Sequence, residues 1–252
     1  MMQTFNFMND IKAKPSPQRL DVLPVSVLEV AASGADSIRG VEEHDASSSR
    51  SGFSPFPFEV AELCVSLYLA GSKLIVDPFA GWGERHESAK RHNIPYIGFD
   101  SSPEAIMHAE ETYGVINLIG DSRSVEVPEH DGLLTCPPYW NLESYAGEEG
   151  LDQIGSWADF LIEYRGVIQR FAAKASRSAT YCIATGDWRA ENKYYDLTFQ
   201  TEKIMCDLGF VPHDKVVISR LGISKIKIML PQAKRLKYTV KVHEMLTVWR
   251  KP

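Results

Sequence analysis

Short apolar runs and amphipathic helical patterns alternate from Phe53 to the end of the chain. Buried strands are indicated at 73–77, 96–100 and 132–136, and the helical pattern at 156–173 is typical of the segments between strands. Strands that alternate with helices form a mostly parallel sheet with helices on both faces. A chain of 252 residues is long enough for one large domain of this type. The predicted fold class is therefore α/β.

The first part of the chain differs from the rest. Prolines interrupt it early, and the small polar run at 46–52 is typical of a mobile loop. Valines and leucine within 25–30 can pack on the core. We predict a partly flexible N-terminal extension at 1–52 and a main domain at 53–252.

Polar or glycine-rich segments follow four of the predicted strands. They are the loop 77–83, Asp100, Asp121 and the corner 136–139. Ligands of open α/β sheets bind beyond the carboxyl ends of the strands, so these segments should line one crevice. Gly81 and Gly83 would let the backbone approach a ligand closely. A carboxylate at Asp100, about twenty residues beyond the loop, suits two ribose hydroxyls.

The glycine pattern also distinguishes among cofactors. The third glycine of G-x-G-x-x-G is missing at 87–88, and no Gly-Lys-Ser/Thr follows as in a P-loop. Phosphate binding at this loop is therefore disfavoured.

The run Thr135-Cys136-Pro137-Pro138-Tyr139 predicts a rigid corner at the end of a strand. Each proline fixes its own φ and holds the preceding residue in an extended conformation. Alone, such a corner is usually only a turn. Next to a glycine-rich loop, it suggests an enzyme that holds an amino group against an aromatic ring.

Composition excludes several classes of protein. The four cysteines are far apart and form no C-x-x-C pair, which argues against a zinc ribbon or disulfide framework and for a reducing compartment. The histidines form no metal-ligand spacing. No apolar run is long enough to span a bilayer, and the first ten residues do not resemble a signal peptide. We expect a cytoplasmic protein, of a bacterium or phage-infected host, without metal or membrane partner.

Charge is unevenly distributed along the chain. The formal net charge is −6, yet from His213 onwards ten basic residues oppose two acidic ones. This segment carries +8 and the remainder −14. A basic stripe on an acidic body predicts a nucleic-acid-binding face, although a solvated surface segment is the alternative. The candidate phosphate contacts are Lys225, Lys227, Lys234, Arg235 and Lys237.

Taken together, these motifs resemble those of S-adenosylmethionine-dependent DNA amino methyltransferases. That family carries a D-P-F-x-G-x-G loop and a D/N/S-P-P-Y/F/W corner, which match DPFAGWG at 77–83 and CPPY at 136–139. The segments SPFPFEV at 54–60 and HEMLTVWRK at 243–251 are also similar to family segments. The motif order is gamma-like, and DPFAGWGER with TCPPYWNLESY is similar to bacteriophage DNA methylases.

The resemblance implies a Rossmann-like methyltransferase fold with a seven-stranded sheet and S-adenosylmethionine as cofactor. It implies methylation of an exocyclic amine of DNA, at cytosine N4 or adenine N6, and a target-recognition segment near 211–242. The implied cofactor-binding residues are Asp77, Phe79, Gly81, Gly83, Asp100, Asp121 and Phe56. Catalysis would use Cys136, Pro137, Pro138 and Tyr139, with Tyr139 stacking on an extruded base and Trp140 lining its pocket.

One departure from the family pattern leaves alternatives open. Cys136 stands where the family has Asp, Asn or Ser, and a thiol is a weak hydrogen-bond acceptor. The alternatives are methylation of RNA or of a protein glutamine, a nucleic-acid-binding module without activity, and a cytosine C5 methylase with Cys136 as nucleophile. Cys136 could also be a packing residue, and Trp140 a core residue.

Overall fold

The computed structural model describes residues 22–30, 55–140, 150–190, 193–219 and 226–252, except for the side chains of 226–229. The predicted extension 1–52 therefore falls largely outside the described residues. Within the described ranges, no helix is long and apolar enough to cross a membrane.

An eight-stranded sheet forms the centre of the molecule. Its strands are β1 (Val27–Glu29), β2 (Ile75–Asp77), β3 (Tyr96–Asp100), β4 (Leu118–Ile119), β5 (His130–Thr135), β6 (Ala175–Thr185), β9 (Val211–Ser219) and β10 (His243–Arg250). Their order in the sheet is β1-β9-β10-β6-β5-β2-β3-β4. A separate hairpin pairs β7 (Trp188–Ala190) with β8 (Lys193–Tyr195).

Six α-helices accompany the strands in the described ranges. They are α1 (Phe58–Leu63), α2 (Glu84–Arg91), α3 (Pro103–Tyr113), α4 (Trp157–Lys174), α5 (Leu197–Asp207) and α6 (Ile226–Leu236). Two caps follow the sequence directly, since Ser102 accepts from the Ala105 N–H at 3.3 Å and Ser156 from the Asp159 N–H at 3.1 Å. α1 continues as a π-helical turn at Cys64–Tyr68.

The order of the strands determines where in the sheet the candidate crevice lies. From β2 the chain moves through β3 and β4 towards one edge, and then returns to β5 on the other side of β2. Strands β2, β3, β4, β5 and β6 are parallel, while β10 runs antiparallel to β6 and β9. The order of connection reverses between β2 and β5, which is the position where ligands bind in open α/β sheets.

The expected α/β class and mostly parallel sheet are confirmed, with one more strand than expected. The additional strand, β1, comes from the N-terminal segment and pairs in parallel with β9, Val27 opposite Val217. It buries Leu28 and leaves Val27 and Glu29 exposed. A three-residue strand is too short to stand out in the sequence. Of the valines and leucine within 25–30 that were expected to pack on the core, Leu28 and Val30 are buried, whereas Val25 and Val27 are exposed.

Alternate side chains of the central strands pack into two hydrophobic clusters, as the period of a strand requires. Val76 and Leu133 belong to the cluster under α4, whereas Ile75 and Leu134 belong to the cluster under α1. The apolar stripe of α4 is buried as its spacing predicts, with Phe160, Tyr164, Val167, Ile168 and Phe171 inaccessible to solvent.

Two elements of the C-terminal part were not predicted. α6 follows a gap in the described residues and contains Pro231. The hairpin of β7 and β8 follows β6 directly. The segment 211–242, expected to hold target recognition, begins with the long sheet strand β9, in which Val216 and Ile218 are buried. The first five residues of β9, 211–215, are exposed, so burial in the sheet restricts only the second half of this strand.

Candidate active site

Asp77 connects the loop at 77–83 to the strand that ends in the corner at 136–139. Its carboxylate is fully buried and accepts four hydrogen bonds. One oxygen accepts from the Phe79 N–H at 2.9 Å and the Thr135 hydroxyl at 2.6 Å. The other accepts from Arg85 Nε at 2.6 Å and the Tyr96 hydroxyl at 2.6 Å. All four positions on the two oxygens are thus occupied by protein donors.

Arg85 is the ionic partner of Asp77. The guanidinium is buried, and it also donates to the Phe79 carbonyl and lies 4.7 Å from the centre of the Phe56 ring. Burial alone would lower the pKa of Arg85, but the charge of Asp77 outweighs it and raises that pKa. The Asp77–Arg85 pair stabilises the loop at 77–83 from its buried side. Asp77 would therefore contribute to cofactor binding indirectly, through the conformation of that loop.

The two loop glycines differ in what surrounds them. At Gly83, with φ of 103°, a β-carbon would come within 2.7 Å of the Ala109 side chain of α3. Gly83 is therefore needed for packing the start of α2. At Gly81, with φ of 56°, a β-carbon would meet nothing closer than Arg85 at 3.8 Å. A β-carbon at Gly81 would therefore make only ordinary van der Waals contacts, and it is the left-handed φ that favours glycine at this position.

Asp100 lies at the end of β3, beside the loop. Its two oxygens accept from the Gly81 N–H at 2.7 Å and the Ser102 N–H at 2.9 Å. Burial raises the pKa of Asp100, although both N–H groups act in the opposite direction. Each carboxylate oxygen can accept two hydrogen bonds, so one further acceptor position remains on each oxygen beside these N–H groups.

Asp121 follows β4 and is engaged by its neighbour. The backbone N–H of Arg123 donates to its carboxylate at 2.8 Å and the guanidinium at 2.6 Å. Partial burial opposes this interaction, yet the hydrogen bonds and charge of Arg123 lower the pKa of Asp121. The adjacent Ser122 donates to the Pro78 carbonyl, which ties this turn to the loop after β2.

The corner after β5 begins beneath the surface. Thr135 is fully buried with its hydroxyl on Asp77, Cys136 is half-buried, and Pro137 is buried. Cys136 packs against the cluster under α1. One carboxylate therefore fixes both the loop at 77–83 and the last strand residue before the corner.

Tyr139 packs against an aromatic neighbour and is largely buried. Its ring is 5.5 Å from the ring of Trp188 in an edge-on arrangement, and 9% of the residue is exposed. Its hydroxyl donates to Glu244 Oε1 of β10 at 3.2 Å. Gly186 lies against that hydroxyl, since a β-carbon there would be 3.2 Å from the oxygen.

Trp140 belongs to the same group of rings, which we call the aromatic cluster. Its indole N–H donates to the Ile154 carbonyl at 2.6 Å. The ring is half-buried and packs against the cluster under α4. These contacts fit the interpretation of Trp140 as a core residue, and its place in a base pocket stays a prediction. The members of the aromatic cluster are Tyr139, Trp140, Trp157, Trp188 and Tyr195.

The predicted basic contacts are only partly described. Lys225 lies outside the described residues, and the side chain of Lys227 is not described. Lys234, Arg235 and Lys237 are exposed at and just beyond the end of α6. Among the side chains that the structure describes, no group of three or more His, Cys, Asp or Glu could hold a metal ion.

The four predicted segments therefore meet at one edge of the sheet, because β5, β2, β3 and β4 are neighbours. Their individual roles remain predictions. Four further residues of the site were not predicted from the sequence: Arg85, Tyr96, Trp188 and Glu244. A charged residue in helix α2 and a tyrosine at the start of β3 give no pattern that indicates a shared buried carboxylate.

The sequence matches no family model, and a search of curated proteins gives no match. Solved structures share the fold. The cyclase SpnF aligns with a TM-score of 0.53 at 13% identity, covering 81% of this chain and 84% of its own. TrmN from Thermus thermophilus aligns with 0.52 at 16%, covering 78% of this chain, which spans only 49% of TrmN.

The N-methyltransferase NodS from Bradyrhizobium japonicum, solved with S-adenosyl-L-homocysteine, aligns with a TM-score of 0.50 at 13% identity. The alignment covers 78% of this chain and 88% of NodS. The chain thus has the Rossmann-like fold found in methyltransferases. Because a cyclase shares it, the fold alone does not specify the reaction.

Proposed function

We propose that this protein is an S-adenosylmethionine-dependent methyltransferase that acts on an exocyclic amino group of a DNA base, cytosine N4 or adenine N6. The observation that carries the proposal is the carboxylate of Asp77. It fixes on one side a glycine loop beside Asp100, and on the other side the strand that ends in Cys136-Pro137-Pro138-Tyr139.

The loop side fits the cofactor. Asp100 is held by two backbone N–H groups and retains one acceptor position on each oxygen, which matches the two hydroxyls of a ribose. Gly81 donates its N–H to Asp100 and adopts a left-handed φ, so it fixes the backbone of the loop beside that carboxylate. Bound S-adenosylmethionine would supply an electrophilic methyl group on a sulfonium. A phosphate ligand would find no comparable donor set in the loop, because the loop lacks both phosphate-binding patterns.

The corner side fits an exocyclic amine. The lone pair of such an amine is delocalised into the ring, so the nitrogen is a poor nucleophile. Acceptors held in place at the Pro137 carbonyl and at position 136 would receive hydrogen bonds from the amine and favour the geometry in which its nitrogen can attack. The amine loses one proton after transfer, and no covalent bond to the enzyme is required.

Tyr139 provides the aromatic surface for the base. Two neighbours, Trp188 and Glu244, hold its ring in one orientation, which limits the freedom lost on binding. A base extruded from a duplex would stack on such a ring, as in other enzymes that act on single bases. The basic residues Lys234, Arg235 and Lys237 are exposed on the same domain and would contact phosphates.

The test is methyl transfer from labelled S-adenosylmethionine to duplex DNA, single-stranded DNA, RNA and a glutamine-containing peptide. Digestion of the product identifies the modified nucleoside. We expect label in N4-methylcytosine or N6-methyladenine from DNA. Label in RNA alone, in peptide glutamine, or at carbon 5 of cytosine would overturn the substrate assignment. Cofactor binding without transfer to any substrate would indicate a binding module.

A matched variant separates the site from a contaminating activity. Asp100→Ala should abolish most transfer at low cofactor concentration, because Asp100 is the proposed ribose ligand. Asp131→Ala is the control, because the Asp131 carboxylate also accepts hydrogen bonds from backbone N–H groups, those of Lys73 at 2.9 Å and Leu74 at 3.1 Å. Asp131 lies at the amino end of β5 and should leave transfer unchanged.

A further inference from the structure

We propose that the hairpin of β7 and β8, together with the chain after α6, forms a phosphate-binding surface that guides a DNA strand to the Tyr139 corner. The inference rests on the proposed function and adds to it the place where the sugar-phosphate backbone is held. The hairpin was not among the segments that the sequence pointed to for nucleic-acid contact.

The two faces of the hairpin differ in burial. Trp188 pairs with Tyr195 and Arg189 pairs with Tyr194 across the two strands. Because successive side chains of a strand point to opposite faces, the first pair and the second pair lie on opposite sides of the hairpin. Trp188 and Tyr195 are buried and stacked in the aromatic cluster. Arg189 and Tyr194 are exposed.

The exposed face holds cations on aromatic rings. The guanidinium of Arg189 lies 4.9 Å from the centre of the Tyr194 ring and 4.9 Å from that of Tyr238. The ammonium of Lys241 lies 5.1 Å from the Tyr194 ring. Cations over ring faces are attracted by the ring electrons. These contacts connect the hairpin to the segment 237–241 and fix two positive charges next to each other.

This arrangement suits phosphodiesters. A guanidinium that stacks by its face keeps its N–H edge available, and that edge matches phosphate oxygens. Lys193 on β8 and Lys237 after α6 add two exposed positive charges. The hairpin itself links this surface to the corner at 136–139, because Trp188, next to Arg189 in β7, packs against Tyr139 with the opposite face of the hairpin.

Two acidic residues of the region are described, and neutral donors of the domain hold their carboxylates in place while leaving them charged, so the four basic side chains Arg189, Lys193, Lys237 and Lys241 face two carboxylates. Asp187 accepts from the Tyr194 hydroxyl at 2.6 Å and from the Thr198 N–H at 3.0 Å. Asp196 accepts from the Gln200 side chain at 3.2 Å. Both are thus engaged within the domain. Glu191, between the two strands, lies outside the described residues.

The surface predicts a specific salt dependence. Each phosphate contact to a single strand contributes about 0.7 to the slope of log Kd against log salt, and each contact to a duplex about 0.9. We would measure binding of three fluorescent probes, a single-stranded oligodeoxynucleotide, a duplex oligodeoxynucleotide and an RNA oligonucleotide, to the full chain by anisotropy. The double variant Arg189→Gln/Lys193→Gln should weaken binding and flatten the slope by about 1.4 to 1.8.

The control is Arg177→Gln. Arg177 is also an exposed arginine of the sheet, but it lies at the amino end of β6, away from the corner. It should leave affinity and slope unchanged. A further variant, Arg189→Lys, keeps the charge and loses the planar group, so it should keep most of the slope. It also serves if the double variant is poorly folded. Cofactor affinity, measured by calorimetry, should be the same in all variants.

Two failures can be told apart. If the wild type methylates DNA but the double variant and Arg177→Gln show the same affinity and slope, the hairpin is not the phosphate-binding surface and the proposed function stands. If the wild type binds cofactor but neither oligonucleotide at low salt, the DNA substrate itself is wrong. A loss of slope in the double variant for an RNA oligonucleotide alone would assign the surface to RNA and overturn the proposal for DNA.

Discussion

The hydroxyl of Tyr139 donates a hydrogen bond to Glu244 at 3.2 Å, which links the end of the Pro-Pro-Tyr corner to the antiparallel strand β10. If the Tyr139 ring stacks on the substrate base, Tyr139→Ala should lose about 1–3 kcal/mol of target binding, whereas Tyr139→Phe should keep most of it. Glu244→Gln keeps an acceptor and should resemble wild type. Binding is measured with duplex and single-stranded targets.

The control for this series is Phe199→Ala, since Phe199 is an exposed aromatic residue on α5. Cofactor affinity should change in none of these variants. Equal target affinity for wild type and Tyr139→Ala would remove the stacking role.

Cys136 distinguishes three mechanisms. If the Cys136 thiol is a weak acceptor for the amine, Cys136→Ser should keep or raise the transfer rate, because a hydroxyl accepts better than a thiol. A covalent nucleophile would be almost inactive as serine, since an alkoxide is far less available than a thiolate near neutral pH. In a binding module there is no turnover to lose. We expect the first outcome in single-turnover assays. Abolished turnover in a folded Cys136→Ser protein would contradict it.

Asp77 should be the most sensitive position for stability. Asp77→Asn leaves the buried Arg85 without its counter-charge, and breaking a buried ion pair costs about 3–5 kcal/mol. Urea unfolding followed by circular dichroism gives the free energy of unfolding. Asp207→Asn is the matched control, because its pair with Arg165 is exposed and worth about 0–1 kcal/mol. A similar change in the free energy of unfolding for both substitutions would show that the Asp77–Arg85 pair contributes no more to stability than an exposed pair.

Cofactor affinity should depend on the ionisation of Asp100. Hydrogen bonds to a charged group contribute about 1.5–3 kcal/mol, so Asp100→Ala should weaken cofactor binding by that amount. Burial raises the pKa of Asp100, so its carboxylate becomes protonated at a higher pH than an ordinary aspartate does on acidification. Wild-type affinity should therefore fall as pH falls through that raised value.

Calorimetry across a pH series checks this dependence. In Asp100→Ala the affinity should follow a flatter curve, and Asp131→Ala should follow the wild type. A wild-type curve that is flat down to the ordinary aspartate value of 3.8 would contradict the ribose role of Asp100.

The strands and helices that position the site could be predicted because their residues carry local patterns. α4 has apolar residues at helical spacing and a serine cap, and β2 and β5 are apolar runs that end in marked residues. The partners of Asp77 could not be predicted, since Tyr96 and Thr135 lie 19 and 58 positions away and meet it only through strand pairing. The hairpin of β7 and β8 was missed because its strands have three residues each.

The short strand β1 has a consequence for trimming the chain. It covers the outer edge of β9, with Val27, Leu28 and Glu29 paired to Val217, Ile218 and Ser219. A version of the protein that starts at residue 53 would uncover the N–H and C=O groups along that edge, together with the apolar surface under Leu28. Exposed edges of this kind recruit strands from other molecules. We therefore expect a version that keeps residues 22–30 to self-associate less than one that starts at residue 53.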